Sequence, residues 1–223
     1  MMKIKKIWYF VKLLWTAIRL QKNPENTALV FDIADILHKL DSFQESRRII
    51  QKDPASMTMM KNRVLVEGYS LQTLSQLPKG TLGQVYAQHM LSNNLDPEFY
   101  RRPKVITDES YFFLRMRQTH DLWHVVTGFD TSILGEISLQ GFMLAQVASP
   151  LSIILVSFAL FSKAFDKQEQ LFHLFDAVIK GWQMGRAASS LFPYDWEKAW
   201  PKDLDTVRRE LNLSTADLLK KAS

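Results

Sequence analysis

The stretch HDLWHVVTGFDTSILGE, residues 120–136, sets His120 and His124 four residues apart around Asp121 and adds Glu136 after eleven further residues. On a helix each residue advances roughly 100°, so the two histidines fall on one face a turn apart and their imidazoles can converge on one cation. Asp121 lies about 100° around from His120, close enough to turn a carboxylate toward the same ion or toward water bound to it. Thr127-Gly128 and Phe129-Asp130 read as a helix end and a turn, with Asp130 or Thr131 capping the next helix. Glu136 then sits about a turn and a half into that second helix, and an antiparallel return would bring it back beside the histidines. Two imidazoles and two carboxylates suit zinc, manganese or ferrous iron. The competing reading is two separate, partly buried histidines satisfied by hydrogen bonds. Against it, Leu122, Trp123, Val125, Val126, Ile133 and Leu134 surround the polar residues, and burying so many ionisable groups without a counter-charge is costly.

The elements that must position this motif are helical. A chain of 223 residues with 47% hydrophobic residues can bury a sizeable core, and only eight glycines and eight prolines punctuate it. An all-α fold follows, a single-domain helical bundle. Residues 1–22 read as a basic amphipathic helix. Ile4, Ile7, Trp8, Val11, Trp15 and Ile18 form one stripe, and Lys3, Lys5, Lys6, Lys12 and Arg19 lie in a segment without any acid. Such a helix either lies in a membrane interface or docks on the domain's own core. Residues 23–223 read as one all-helical metal- and lipid-binding domain, with breaks at Asn23-Pro24, Asp53-Pro54, Asp96-Pro97 and Arg102-Pro103. Thr81 is a plausible N-cap for TLGQVYAQHMLSNN, and Ser214 with Asp217 resembles another capping arrangement. The segment Ile137 to Ser162 carries no charge. Pro150 divides it, so two core helices meeting at Ser149-Pro150 fit better than one membrane span. Its apolar faces could also line a cavity for a long hydrocarbon ligand.

Several function classes drop out. Cysteine is absent, so there is neither a disulfide framework nor a thiolate ligand. The net charge of +5 is modest, and no nucleic-acid module accompanies the clusters at Arg101, Arg102 and Lys104 or at Arg115 and Arg117. Those clusters suit an anionic membrane or a phosphate. No Gly-rich phosphate loop and no G-x-S-x-G elbow occurs. A zincin would carry HExxH, whereas the acid here is the shorter Asp121. His38 and His89 read as structural or surface residues, and His173 as a satisfied core residue.

HDLWHVVTGFDTSILGE resembles the HDxxH-(eleven residues)-E signature of the coenzyme Q (ubiquinone) biosynthesis protein family whose members are numbered fourth in that pathway. GTLGQVYAQHM is similar to that family's glycine-leucine-glycine stretch and tyrosine helix, and YDWEKAWPKDLDTVRRELNL to its C-terminal ending. The similarity covers about Asn23 to Leu213. Departures are Gln118, where an acidic residue is usual, SLQGFML after Glu136, and the detail around Ser149-Pro150.

The resemblance implies a divalent metal at His120, Asp121, His124 and Glu136: zinc first, with iron, manganese or magnesium as alternatives. It implies binding of a polyprenyl lipid or prenylated quinone precursor, with Ile137 to Ser162 as the wall for the prenyl tail. Oxidative decarboxylation of the ring precursor would have Asp121 and Glu136 as catalytic residues, the metal polarising a ring oxygen or, if redox-active, activating dioxygen. The alternative is a non-catalytic scaffold presenting lipid to other quinone-biosynthesis enzymes. A weaker one is a prenyl-phosphate phosphohydrolase using Arg101, Arg102 and Arg117. Expected partners are those enzymes, the lipid and a membrane surface, without nucleic acid, and a homodimer is compatible. The absence of a Ser-rich transit peptide points to a bacterial-type protein, cytoplasmic and peripheral on the inner face of the membrane.

Overall fold

The computed structural model describes residues 2–23, 26–40, 42–99, 105, 107–164 and 168–213. Among them are twelve helices: α1 (Met2–Lys22), α2 (Thr27–Lys39), α3 (Gln44–Lys52), α4 (Pro54–Asn62), α5 (Leu71–Ser75), α6 (Leu82–Ser92), α7 (Asp108–Thr127), α8 (Ile133–Val147), α9 (Pro150–Ala164), α10 (Gln168–Ala187), α11 (Trp196–Ala199) and α12 (Leu204–Glu210). No strand occurs among the described residues, so the expected all-α class holds; the sole extended pairing described is an isolated bridge between Thr81 and Asp203. None of the described helices is long and apolar enough to cross a membrane. The cluster at Arg101, Arg102 and Lys104 and the cap at Ser214 lie outside the described residues.

The chain forms two compact units, each assembled from two separated pieces of sequence: 1–52 with 132–185, and 53–131 with 186–223. In the first, α1 packs on α2 and α9. Leu13 and Ala17 join Ile33, Ile36 and Leu37 in a buried cluster, flanked by Tyr9, Leu20, Leu151, Ile154, Leu155 and Phe158. The docked face of α1 is therefore Tyr9, Leu13, Ala17 and Leu20, spaced at three and four residues. The stripe singled out in the sequence takes the other side: Ile7, Trp8, Val11, Trp15 and Ile18 are exposed, Trp8 at 57%. The helix thus has two apolar stripes, one docked and one facing outward, with the Lys12 ammonium 5.6 Å from the Trp8 ring centroid.

The uncharged segment Ile137 to Ser162 is split as expected. Ala148 closes α8 in the left-handed conformation, and Pro150 opens α9 at the first helical position, where its missing N–H is no loss. Leu151, Ile154, Leu155 and Phe158 use much of α9's apolar surface for the core, while Ile153 and Phe161 face outward. Helix α8 meets α10 at very short range. A Cβ on Gly181 would overlap the Ser138 carbonyl, and one on Gly141 would stand 2.5 Å from the Val178 carbonyl oxygen. Only glycine permits that approach, and it fixes the helix that carries Glu136.

In the second unit α6 packs on α7, and α12 on both. Leu82 N donates to Lys202 O at 2.8 Å and Leu204 N to Gly80 O at 2.9 Å, pinning the C-terminal segment to the start of α6. Thr81 caps α6 as the sequence suggests, its hydroxyl accepting from Gln84 N. Trp123, Tyr86, Phe192 and Trp196 fill the interior. At the centre of α7, Arg115 is fully buried. Its guanidinium pairs with Glu197 and donates to Tyr194 O at 2.8 Å and Val64 O at 3.3 Å. This residue is a core pin rather than part of a basic surface cluster. His173 is exposed, contrary to its reading as a core residue.

Candidate metal centre

Helix α7 carries His120, Asp121 and His124 and is fixed at both ends. Thr107 and Ser110 form a reciprocal capping box at its start. At its end Gly128 adopts φ 75°, a left-handed closure that a Cβ would oppose. Arg208 of α12 binds the last turn as well, Nε donating to Val126 O at 3.0 Å and Nη2 to Val125 O at 3.1 Å. A cation on those terminal carbonyls also favours the helix macrodipole.

The cap of α8 differs from the sequence reading. Ser132, rather than Asp130 or Thr131, precedes the helix and accepts from Gly135 N at 3.2 Å. Thr131 Oγ1 instead donates to Asn93 Oδ1 at 3.2 Å. Glu136 consequently belongs to the first turn of α8, not a turn and a half in.

His120, His124 and Glu136 each offer a ligand atom, and the three atoms lie within 4.8 Å of one another. Ligands about 2.1 Å from one ion stand at most about 4.2 Å apart. The state of His124 supports this use. Its Nδ1 lies 2.9 Å from the Phe129 carbonyl oxygen. A carbonyl only accepts, so Nδ1 carries the proton and the Nε2 lone pair is left for a ligand role. The ring is buried at 1% exposure. Donor set and tautomer therefore fit a divalent ion, and these three residues form a group that could hold one.

Asp121 is not one of the three. Its Oδ1 lies 3.4 Å from His120 Nδ1. Burial pushes its carboxyl up, but the hydrogen bond with His120 and the nearby imidazoles of His120, His124 and His89 outweigh that and hold it below the usual carboxylate range. It is placed to orient His120 rather than to close the set of three.

His89, which the sequence gave little reason to single out, belongs here too. It stands on α6 with its ring stacked on that of His124, centroids 5.9 Å apart and planes 23° from parallel. His120 meets His124 edge-on, at 4.9 Å and 71°. No local signal marks His89, because its contact depends on how α6 packs on α7. A separate cleft of about 380 Å³ is lined by Val66 to Gln72, Pro97 and Glu98, none of them a motif residue.

The chain is similar to known proteins. A family model described as coenzyme Q (ubiquinone) biosynthesis protein Coq4 matches residues 2–217. The Xenopus tropicalis protein named ubiquinone biosynthesis protein COQ4 homolog, mitochondrial, is 27% identical over 178 residues, covering 77% of this chain and 62% of its own. The Rattus norvegicus protein of the same name is 30% identical over 171 residues, with 74% and 63% covered. The chain thus spans less than two thirds of the length of these curated relatives. A crystal structure of a Nostoc punctiforme PCC 73102 protein, provisionally assigned to ubiquinone biosynthesis, superposes with a TM-score of 0.82 at 32% identity. That match covers 92% of this chain and 98% of that one. With the family model spanning nearly the whole sequence, the chain belongs to the coenzyme Q (ubiquinone) biosynthesis protein Coq4 family.

Proposed function

We propose that this chain is a metal-dependent protein of prenylated quinone biosynthesis, binding a polyprenylated ring precursor beside His120, His124 and Glu136 and catalysing oxidative loss of its ring carboxyl group as carbon dioxide, with dioxygen as the oxidant. The observation that carries this reading is the grouping of His120, His124 and Glu136 within ligand reach. When bound, a divalent ion (zinc first, with iron, manganese or magnesium as alternatives) supplies Lewis-acid polarisation of a carboxyl or phenolic oxygen. Asp121 would orient His120 by accepting from its Nδ1–H. Asp121 or Glu136 would assist proton transfer at the ring.

The membrane enters through α1. Its outward stripe of Ile7, Trp8, Val11, Trp15 and Ile18 lies on a segment whose charges are all basic, which is the chemistry of an interfacial helix on anionic lipid. The exposed Ile153 and Phe161 of α9 offer apolar surface to a prenyl chain. On this reading the protein works peripherally on the inner face of the membrane, alongside other quinone-biosynthesis enzymes. Replacing Trp8 and Trp15 together by glutamate abolishes co-sedimentation with anionic vesicles while leaving the circular dichroism spectrum unchanged; full retention of vesicle binding refutes the role of α1.

The alternative is a scaffold that presents lipid without turnover, favoured by the same exposed apolar surface. Mass spectrometry of prenylated lipids after gene deletion separates the two. The catalytic reading predicts that a carboxylated, prenylated precursor accumulates and that a His124→Ala copy does not clear it. Restoration of the quinone by that variant would instead favour the scaffold.

A further inference from the structure

His124 is held on three sides by groups of the same unit. Phe129 O accepts from its Nδ1 at 2.9 Å, the His120 ring meets it edge-on at 4.9 Å, and the His89 ring lies along its face at 5.9 Å. The hydrogen bond fixes the tautomer, but by itself it is a hinge about which the ring can still tilt. A face-to-face neighbour removes that freedom, because offset stacking within about 4.5–7 Å is favourable only near one orientation.

The same end of α6 also holds the loop that supplies the Phe129 carbonyl. Asn93 Nδ2 donates to His89 O at 2.8 Å, and Asn93 Oδ1 accepts from Thr131 Oγ1 at 3.2 Å. Asn93, four residues after His89, thereby ties the α6 backbone to the loop following α7. One helix end braces both determinants of His124: the orientation of its ring and the carbonyl that sets its tautomer.

We propose that His89 is a positioning residue of the metal centre, acting through the face of its ring on His124 rather than as a ligand. The inference rests on the metal-binding reading above. It explains why an aromatic ring stands against a ligand that already has its tautomer fixed, and why Asn93 follows on the same helix face. Metal affinity then depends chiefly on the shape and aromaticity of residue 89.

The test is cobalt(II) titration of the full chain, read by the visible d–d spectrum and by competition with a chromophoric chelator, for wild type, His89→Phe and His89→Leu. Both substitutions fill the site, so the fold is retained, and circular dichroism checks it. The expected result is wild-type affinity within about twofold for His89→Phe and a loss of about tenfold, with altered band intensities, for His89→Leu. Equal affinity and spectra for His89→Leu and wild type overturn the proposal while leaving the metal centre standing. Equal losses in His89→Phe and His89→Leu also overturn it, by showing that the imidazole nitrogens are needed. A wild type that binds no cobalt overturns the metal reading itself, and this inference with it.

Discussion

His124→Ala loses metal affinity by roughly a hundred- to a thousandfold. Zinc sites bind with apparent energies of about 10–16 kcal/mol shared among about four ligands, so one ligand accounts for roughly 3–4 kcal/mol. In the proposed centre His124 would be the ligand least able to be replaced by water, because it is buried at 1% exposure. Its Nδ1 is committed to Phe129 O, which leaves Nε2 as the donor atom. The effect is measurable in two ways. Chelator competition gives the affinity directly. Thermal unfolding gives the linkage: metal at a hundred times the wild-type Kd stabilises wild type by about 2.7 kcal/mol and the variant hardly at all. His173→Ala, on an exposed position of α10, leaves both unchanged. An alanine variant that keeps wild-type affinity removes His124 from the centre.

Arg115→Ala strongly destabilises the fold. The guanidinium is at 0% exposure and its partner Glu197 at 18%, so little solvent is available to replace the interaction. The substitution leaves the Glu197 carboxylate without its cation and removes the donors to Tyr194 O and Val64 O. Removing one partner of a buried pair costs about 3–5 kcal/mol. Arg115→Lys recovers only part of it, since an ammonium cannot reproduce the fork that reaches three acceptors. Urea denaturation checks this. A midpoint for Arg115→Ala equal to that of wild type would contradict the assignment. Because Arg115 lies between the start of α7 and the motif, the loss also loosens the helix that carries His120 and His124.

Much of this was legible in the sequence, for physical reasons that differ between elements. The break at Ser149-Pro150 and the end of α7 at Gly128 follow from local backbone chemistry, which proline and glycine declare wherever they stand. The cap of α8 does not. Asp130, Thr131 and Ser132 are three successive cap-forming residues, and the choice is made by a distant partner: Thr131 is engaged by Asn93, so Ser132 takes the cap. Helix α1 shows a second limit. Periodicity finds apolar stripes but cannot say which one docks, and here Tyr9, Leu13, Ala17 and Leu20 do so while the tryptophan stripe faces outward. Arg115 and His89 mark a third. A basic residue two positions from another reads as a surface cluster, and a lone histidine on a short helix reads as ordinary. Their partners, Glu197 and His124, lie far along the chain, and only packing brings them together.

The central claim is that His120, His124 and Glu136 hold a metal ion. Crystals grown with cobalt(II) and measured on both sides of its absorption edge test it most directly. The expected result is one strong anomalous peak per chain, with His124 Nε2, a His120 ring nitrogen and a Glu136 carboxylate oxygen around it at about 2.0–2.2 Å. A peak elsewhere on the chain, or none at these three residues with cobalt in excess, would contradict it.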